Sequence, residues 1–324
     1  MAIVSQFPLN TFHVGLRRRA KAIDAGSITA QRIKRLASIE LKLVRFPTMT
    51  LSQMQDIGGC RAIVSNASQV YRLCDSYFAS DIKHSLHQRD DYIANPKESG
   101  YRGVHLVYRY FSDKKSDYNT LKIEMQLRSQ LQHAWATPVE LVGALVQQAL
   151  KSSLGEQEWL RFFALMGSTI AIREDTALVP DTPQDYASLV SELREHAQSL
   201  DVANRLRAFG TALQVYESSA SRDNHYYLIE VDNAQKLVNV TSFKHSESEL
   251  ATAKYLETEK KLKDRPNSDA VLVSVDSMDA LRRAYPNYFL DTRVFVSLME
   301  ETLKSTRRPK KSSQQLDLFK RIQI

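Results

Sequence analysis

No apolar run in the chain approaches the ~20 residues needed to cross a bilayer, so no membrane partner is expected. The N-terminal stretch MAIVSQFPLNTFHVGLRRRAK has no charged leader followed by an apolar core, which argues against a secretory signal. Cysteine is scarce: Cys60 and Cys74 are the only two in 324 residues. Two thiols do not make a disulfide framework and fit a reduced, cytoplasmic setting. No internal repeat is present. What remains is an ordinary globular composition, 43% hydrophobic and 25% charged. The length suits two domains, or one domain with a large extension. The formal net charge of +7 favours an anionic ligand such as a nucleotide or RNA. The excess is spread over several segments. Arg17, Arg18 and Arg19 form one cluster, and Arg307, Arg308, Lys310 and Lys311 form another near the C-terminus, which is either a solvated end or an RNA contact.

Periodicity predicts a helix over Thr29–Arg45, a strand at Cys60–Val64, a helix near Ser68–Ala79 and a polar loop from His87 to Gly100. Strands Val104–Phe111 and Thr120–Arg128 follow, then helices Ser129–Lys151 and Gln157–Glu174. Two prolines make Asp175–Tyr186 the best domain boundary. Beyond it the pattern predicts one helix over Tyr186–Glu217, a hairpin from HYYLIEV and KLVNVTSF, a helix Ser246–Lys263, the strand AVLVSV and a helix Met278–Tyr285. The last ~20 residues read as a tail.

Four features carry chemistry. At about 100° per residue, Lys34, Ser38, Lys42 and Arg45 would share one face of the first helix, with Ile33, Leu36, Ala37 and Val44 opposite. Such a cationic stripe binds a polyphosphate, or is a solvated basic face. In the strand Lys122–Arg128, Leu121, Ile123, Met125 and Leu127 alternate with Lys122, Glu124, Gln126 and Arg128. The polar side is either a solvent face or a surface that holds a metal and a sugar-phosphate. In the loop Asp90–His105, Gly100 permits an unusual backbone angle before Tyr101, whose ring can stack on a base or sit in the core. Lys97, Arg102 and His105 lie within reach of phosphates in the same loop. In DIGGCRAIV, Asp56 precedes a strand that holds Arg61. With Glu124 on a neighbouring strand it would form a two-carboxylate Mg²⁺ site, since this ion is held by one or two carboxylates plus substrate phosphates. Asp56 is otherwise a turn or cap residue.

In this order and spacing the four features resemble the RelA/SpoT synthetase family. Arg32, Lys34, Ser38 and Lys42 match its ATP-binding pattern RxKxxxSxxxK, and DIGGCR matches its metal-aspartate strand. PKESGYRGVH matches its acceptor loop, ending in Tyr101 and His105. EMQLRSQLQHAWATPVE matches its EIQIRT…HxWA…E segment through Glu124, Gln126, Arg128, His133, Trp135 and Glu140. The likeness covers about residues 20–150. Ser99 stands where that family often has asparagine. No hydrolase domain is expected before the match, and no long ribosome-sensing region after it.

The resemblance implies an α+β fold: a mixed β-sheet flanked by helices, nucleotidyltransferase-like, with a smaller C-terminal α/β module. It implies a synthetase domain over residues 1–175, a linker and connecting helix over 176–222, a regulatory or interaction module over 223–304 and a basic tail over 305–324. It implies an ATP-dependent pyrophosphokinase that moves the β,γ-pyrophosphate of ATP to the ribose 3′-hydroxyl of GDP or GTP. Arg32, Lys34, Ser38, Lys42, Arg45 and Arg61 would bind ATP. Asp56 and Glu124 would be catalytic and hold Mg²⁺. Lys97, Tyr101, Arg102, His105, Gln126 and Arg128 would bind the acceptor. His133 is expected to be structural. The alternatives are a toxin that pyrophosphorylates the 3′ end of tRNA and stops translation, for instance in phage defence, and an inactive nucleotide sensor. The intact Asp56, Glu124 and Tyr101 argue against the sensor. The C-terminal module has no catalytic constellation, and a protein regulator is its expected partner. Its segment Arg282–Arg293 places Tyr285 and Tyr288 around a Pro-Asn turn. Those tyrosines are read as exposed and able to plug a purine pocket, or as packed inside the module.

Overall fold

The strand that carries Glu124 folds as its alternation requires. In β5 (Lys122–Ser129), Ile123, Met125 and Leu127 are fully buried, while Lys122, Glu124 and Gln126 are only partly covered. The computed structural model describes residues 6–34, 36–149, 156–211, 214–217, 224–232, 235, 237–262, 268–289, 291–305 and 307–309. Among these, eight more strands join β5 in one mixed sheet: β1 (Ile28–Ile33), β2 (Gly58–Val64), β3 (Ser85–Asp91), β4 (Val104–Arg109), β6 (Gln214–Glu217), β7 (Asn224–Asp232), β8 (Leu237–Lys244) and β9 (Ser268–Ser274). Their order is β3-β4-β5-β2-β1-β9-β7-β8-β6. β2 and β5 run parallel, as do β6 and β8, and the other neighbours are antiparallel. A parallel pair needs a crossover. Helix α3 (Ala67–Phe78) and the β3–β4 hairpin supply it between β2 and β5.

One face of this sheet is covered by α1 (Gln6–Ile23) and α3. Leu9, Phe12 and Leu16 of α1 and Val70, Leu73 and Tyr77 of α3 pack on Cys60, Ala62, Leu106, Met125 and Leu127. Beside the sheet, α4 (Gln130–Ala149), α5 (Glu156–Glu174), α6 (Tyr186–Ser199) and α7 (Val202–Thr211) share a second core. The helices α8 (Ser248–Leu262), α9 (Met278–Ala284) and α10 (Arg293–Leu303) complete the fold. α10 returns to that second core, where Phe295 lies 6.1 Å from both Phe162 and Phe163, ring centre to ring centre. β9 pairs with β1 through Gln31↔Ser274 and Arg32↔Val273, so the strands of the C-terminal half extend the same sheet. Among the described residues, no helix is long and apolar enough to cross a membrane.

Several expected elements take a different form. The helix predicted over Thr29–Arg45 is instead β1 followed by α2 (Leu36–Arg45). β1 is central, with Ile28, Thr29, Ala30 and Gln31 all buried, and a strand covered on both faces does not show the alternation of a half-buried one. Lys34 therefore precedes the helix, and Val44, expected on its packed face, is 77% exposed. The polar stretch from His87 is in part β3, an edge strand whose polar residues suit its single neighbour. The helix predicted over Tyr186–Glu217 is α6, α7 and β6, broken at Asp201, whose φ is 47°. α1 and α10 were not expected. Most of the basic tail, including Lys310 and Lys311, lies outside the described residues.

Candidate active site

The sheet face opposite α1 gathers the charged residues. β2 and β5 are in register at Gly59↔Glu124 and Arg61↔Gln126, and β4 meets β5 at His105↔Gln126. Three neighbouring strands thus point Arg61, Glu124, Gln126 and His105 to one side, and β1 adds Arg32 beyond β2. Arg32, Lys34, Asp56, Arg61, Glu124 and Gln126 line one cavity, together with Gly59, Cys60 and Tyr285.

Asp56 sits between two lysines. Lys34 Nζ is 2.6 Å from its Oδ2 and Lys42 Nζ is 3.0 Å from its Oδ1. Burial pushes the Asp56 carboxyl up, but the two hydrogen bonds and positive charges together outweigh it and hold the pKa below the usual range. Glu124 is in a similar balance. Burial raises it, while His105 Nδ1, at 2.9 Å from Oε1, and Gln126, donating at 3.0 Å to Oε2, bring it below the usual range against the opposing charge of Asp56. From His105 the chain of contacts continues: its Nε2 is 2.5 Å from the Tyr101 hydroxyl, which accepts from Arg128 Nη2 at 2.7 Å. Glu124 and the Tyr101 ring are therefore tied through one histidine. Tyr92, not singled out from the sequence, stands edge-on to both Tyr101 and His105, at 5.6 and 5.4 Å. Exposed Lys97 lies over the Tyr92 and Tyr101 rings, at 4.3 and 5.5 Å.

The arginines are buried and under-used. Arg61 is 7% and Arg128 4% exposed. Arg61 Nη1 donates to the Ala284 carbonyl at 3.0 Å, and its guanidinium lies 5.2 Å from the centre of the Tyr285 ring. Arg61 Nε and Arg128 Nε and Nη1 are buried without a hydrogen-bond partner. Desolvation, and after it the charge of Arg128, push the Arg61 pKa down. His133 is driven well below its ordinary value, by burial first and then by Arg61 and Arg128. A neutral ring remains, with Nε2 2.9 Å from the Arg283 carbonyl, the structural role expected of it.

Two predicted site residues are not brought into this arrangement, and the side chain of a third, Ser38, is not described. Arg102, expected to bind the acceptor, turns the other way: it is 2% exposed and donates to Thr176 Oγ1 at 3.0 Å and to the Ala177 carbonyl. Gly100 and Gly103, on either side of Tyr101 and Arg102, both take positive φ, a conformation that suits glycine. Arg45 is exposed at the end of α2, its guanidinium over Phe46. Ser38 lies in α2, and its side chain is outside the described residues. Of the two readings of Tyr285 and Tyr288, exposed or packed, the second holds: they are 2% and 9% exposed. They pack with Val271, Val273 and Leu281 in the core that joins α9 to β1 and β2, and Tyr285 forms a wall of the cavity.

Asp56 and Glu124 present hard oxygen donors to the same cavity, which fits a divalent cation completed by phosphate and water oxygens. Among the described residues no three His, Cys, Asp or Glu side chains form a metal cluster of their own.

Residues 31–140 match the family described as the region found in RelA / SpoT proteins. GTP pyrophosphokinase YjbM of Bacillus subtilis (strain 168) is 36% identical over 108 residues, 33% of this chain and 51% of that protein. GTP pyrophosphokinase YwaC of the same organism is 30% identical over 114 residues, 34% of this chain and 54% of its own. The matched part thus spans about half the length of these two relatives. Among solved structures, small alarmone synthetase 1 from Bacillus subtilis bound to its product pppGpp has a TM-score of 0.45 at 24% identity, over 52% of this chain and 89% of that one. Arg32, Asp56, Arg61, His105, Glu124 and Gln126 all fall within residues 31–140, the part of the chain that matches the RelA / SpoT region.

Proposed function

We propose that the chain is a Mg²⁺-dependent pyrophosphokinase that transfers the β,γ-pyrophosphate of ATP to the ribose 3′-hydroxyl of GDP or GTP. The observation that carries this reading is buried Arg61, its Nε unpartnered, lining one cavity with Asp56 and Glu124, and buried Arg128 on the Tyr101 hydroxyl with two unpartnered N–H groups. A buried cation with unused donors is costly unless an anion completes it. A polyphosphate supplies both charge and acceptors in the planar pattern that a guanidinium prefers.

Arg32, Lys34, Lys42 and Arg61 hold the ATP phosphates. Asp56 and Glu124 hold the cation, which when bound neutralises charge on the transferring group. Lys34 and Lys42, now on Asp56, turn to the phosphates when nucleotide enters. Glu124, or a water beside it, takes the proton of the 3′-hydroxyl as that oxygen attacks the β-phosphorus and AMP leaves. Tyr101 stacks on the acceptor base, and Lys97, His105, Gln126 and Arg128 hold its sugar and phosphates. Catalysis of this kind is positioning and charge neutralisation more than covalent chemistry. The experiment is transfer from labelled ATP to GDP, GTP, ATP or bulk tRNA, with and without a chelator. A product with tRNA alone would replace this reading by the toxin, and no product with any acceptor would leave a nucleotide sensor.

Regulation is part of the proposal. The cavity encloses about 50 Å³, against the roughly 300–1,000 Å³ of pockets that take a small ligand. Tyr285 closes one side, held by Arg61, while His133 holds the carbonyl of Arg283. The described form is the closed one, and a protein partner of the C-terminal module opens it by drawing α9 away.

A further inference from the structure

The turn that presents Tyr101 rests on a part of the chain outside the RelA/SpoT region. Gly100 has a φ of 92° and faces α5 so closely that a Cβ there would lie 2.7 Å from the Phe163 carbonyl oxygen. On the α5 side, a Cβ on Gly167 would lie 3.0 Å from both Cα and O of Gly100. The two backbones meet glycine to glycine. Trp135 Nε1 donates to the same Phe163 carbonyl at 2.9 Å and stands edge-on to Tyr101 at 6.4 Å. Arg102 then reaches past the end of α5 to Thr176 and Ala177. Glu174 lowers the cost of burying Arg102, since its charge favours the guanidinium, and it accepts from Gln132 at 2.8 Å. An arginine this buried, spending its donors on a loop 74 and 75 residues away, fixes a distance between two parts of the chain.

We infer that Arg102 is a positioning residue for the acceptor: with Thr176 and Ala177 it sets where the Tyr101 ring stands, so that residues beyond the family region determine acceptor binding. The inference rests on the proposed reading of Tyr101 as the acceptor platform. Arg102 touches neither the cavity nor the carboxylates and acts through Tyr101 alone. A shift of about 1 Å in a positioning group is enough for a large loss of productive binding. A guanidinium fork, unlike an ammonium, holds Thr176 and Ala177 at once, so lysine does not replace it.

The test uses the full chain with two variants, Arg102→Lys and Thr176→Val, the second a change of one hydroxyl in a residue no part of the proposed chemistry touches. Both should raise the acceptor KM, by about tenfold in the first and about threefold in the second, with the KM for ATP unchanged, as expected when uniform binding of one substrate is lost. A purely structural role would lower the melting temperature and the active fraction, reducing kcat while leaving both KM values alone. That result, or equal rises in both KM values, overturns the inference. Hydrogen exchange gives a readout independent of activity. The amides of Tyr92 and Gly100 donate to the carbonyls of Gly103 and Lys97, at 2.9 and 2.8 Å, and should exchange faster in Thr176→Val. If the wild type transfers pyrophosphate to no acceptor, the proposed function falls, and unchanged exchange at those amides is then what overturns the anchoring.

Discussion

Asp56 and Glu124 are both engaged by neighbouring polar groups. Asp56 occupies both lysines, and Glu124 occupies His105 and Gln126. Replacing either carboxylate removes a proposed cation ligand without opening a core, since Asp56 is partly exposed and Glu124 stands on the polar side of β5. Asp56→Ala and Glu124→Ala should each reduce pyrophosphate transfer by at least about a hundredfold, with far-UV circular dichroism and melting temperature close to wild type. Near-normal turnover in either would remove the site assignment. Gly100 is the opposite case, a residue whose change is felt in the backbone. A side chain there meets the Phe163 carbonyl in a conformation that L-residues rarely adopt. Gly100→Ala should cost about 2 kcal/mol of stability, read from denaturant unfolding, and weaken the acceptor more than ATP. Equal stability would mean that the turn relaxes freely and positions nothing.

At the scale of elements, what was legible depended on solvent. β5 alternates because one of its faces is apolar and the other polar, and the hairpin β7–β8 and helices α3 and α4 show similarly clear periods. β1 carries no such record, because it is covered on both faces, so the motif was found while its first part was given the wrong backbone. The placing of Arg102 was illegible for another reason: its partners Thr176 and Ala177 are far along the chain, and no local pattern encodes a distant hydrogen bond. For Tyr285 and Tyr288 the sequence left exposed and packed readings open. Only the pairing of β9 with β1 brings α9 over Arg61. From this follows a test of the closed form. Cutting the chain after Glu217 would also strip Phe295, Leu298 and Met299 from the core of α4–α7, so a point change is the cleaner probe. Tyr285→Ala deletes the ring over Arg61, a contact worth about 0.5–2 kcal/mol. Basal transfer should rise by about tenfold, which corresponds to 1.4 kcal/mol. A folded variant with unchanged or lower activity would make α9 a cap.

Across the whole molecule, the first helix and the last third of the chain are joined at a buried histidine. His13 of α1 is 1% exposed, and its Nε2 has no hydrogen-bond partner. Arg17 one turn on donates to Asp276 at 2.8 Å, and His225 of β7 lies near enough to add its charge. Burial first, then Arg17 and His225, push the His13 pKa from 6.5 to about 4, with Asp276 and a backbone bond at Thr29 opposing. Below pH 6.5 the unfolded chain binds a proton at this residue that the folded chain refuses, so the unfolded state gains. The stability that comes from keeping His13 neutral is complete above pH 6.5 and is lost as the pH falls towards 4. Between pH 7.5 and 5 the loss from this residue is about 2 kcal/mol. His133 and His225 are depressed as well and add to it in the same direction. His13→Phe keeps a flat ring and removes the titrating group together with an unsatisfied buried nitrogen. Its stability at pH 7.5 should stay within about 1 kcal/mol of the wild type, because the backbone bond at Thr29 is lost while the unsatisfied Nε2 is removed with it. Its loss between pH 7.5 and 5 should be smaller than the wild-type loss by about 2 kcal/mol, measured as the shift in urea midpoint at each pH. An identical pH dependence in the two proteins would show that His13 stays unprotonated in the unfolded chain too, or finds a proton's worth of solvation in the folded one. Either result would take the acid sensitivity away from His13 and leave it to His133 and His225.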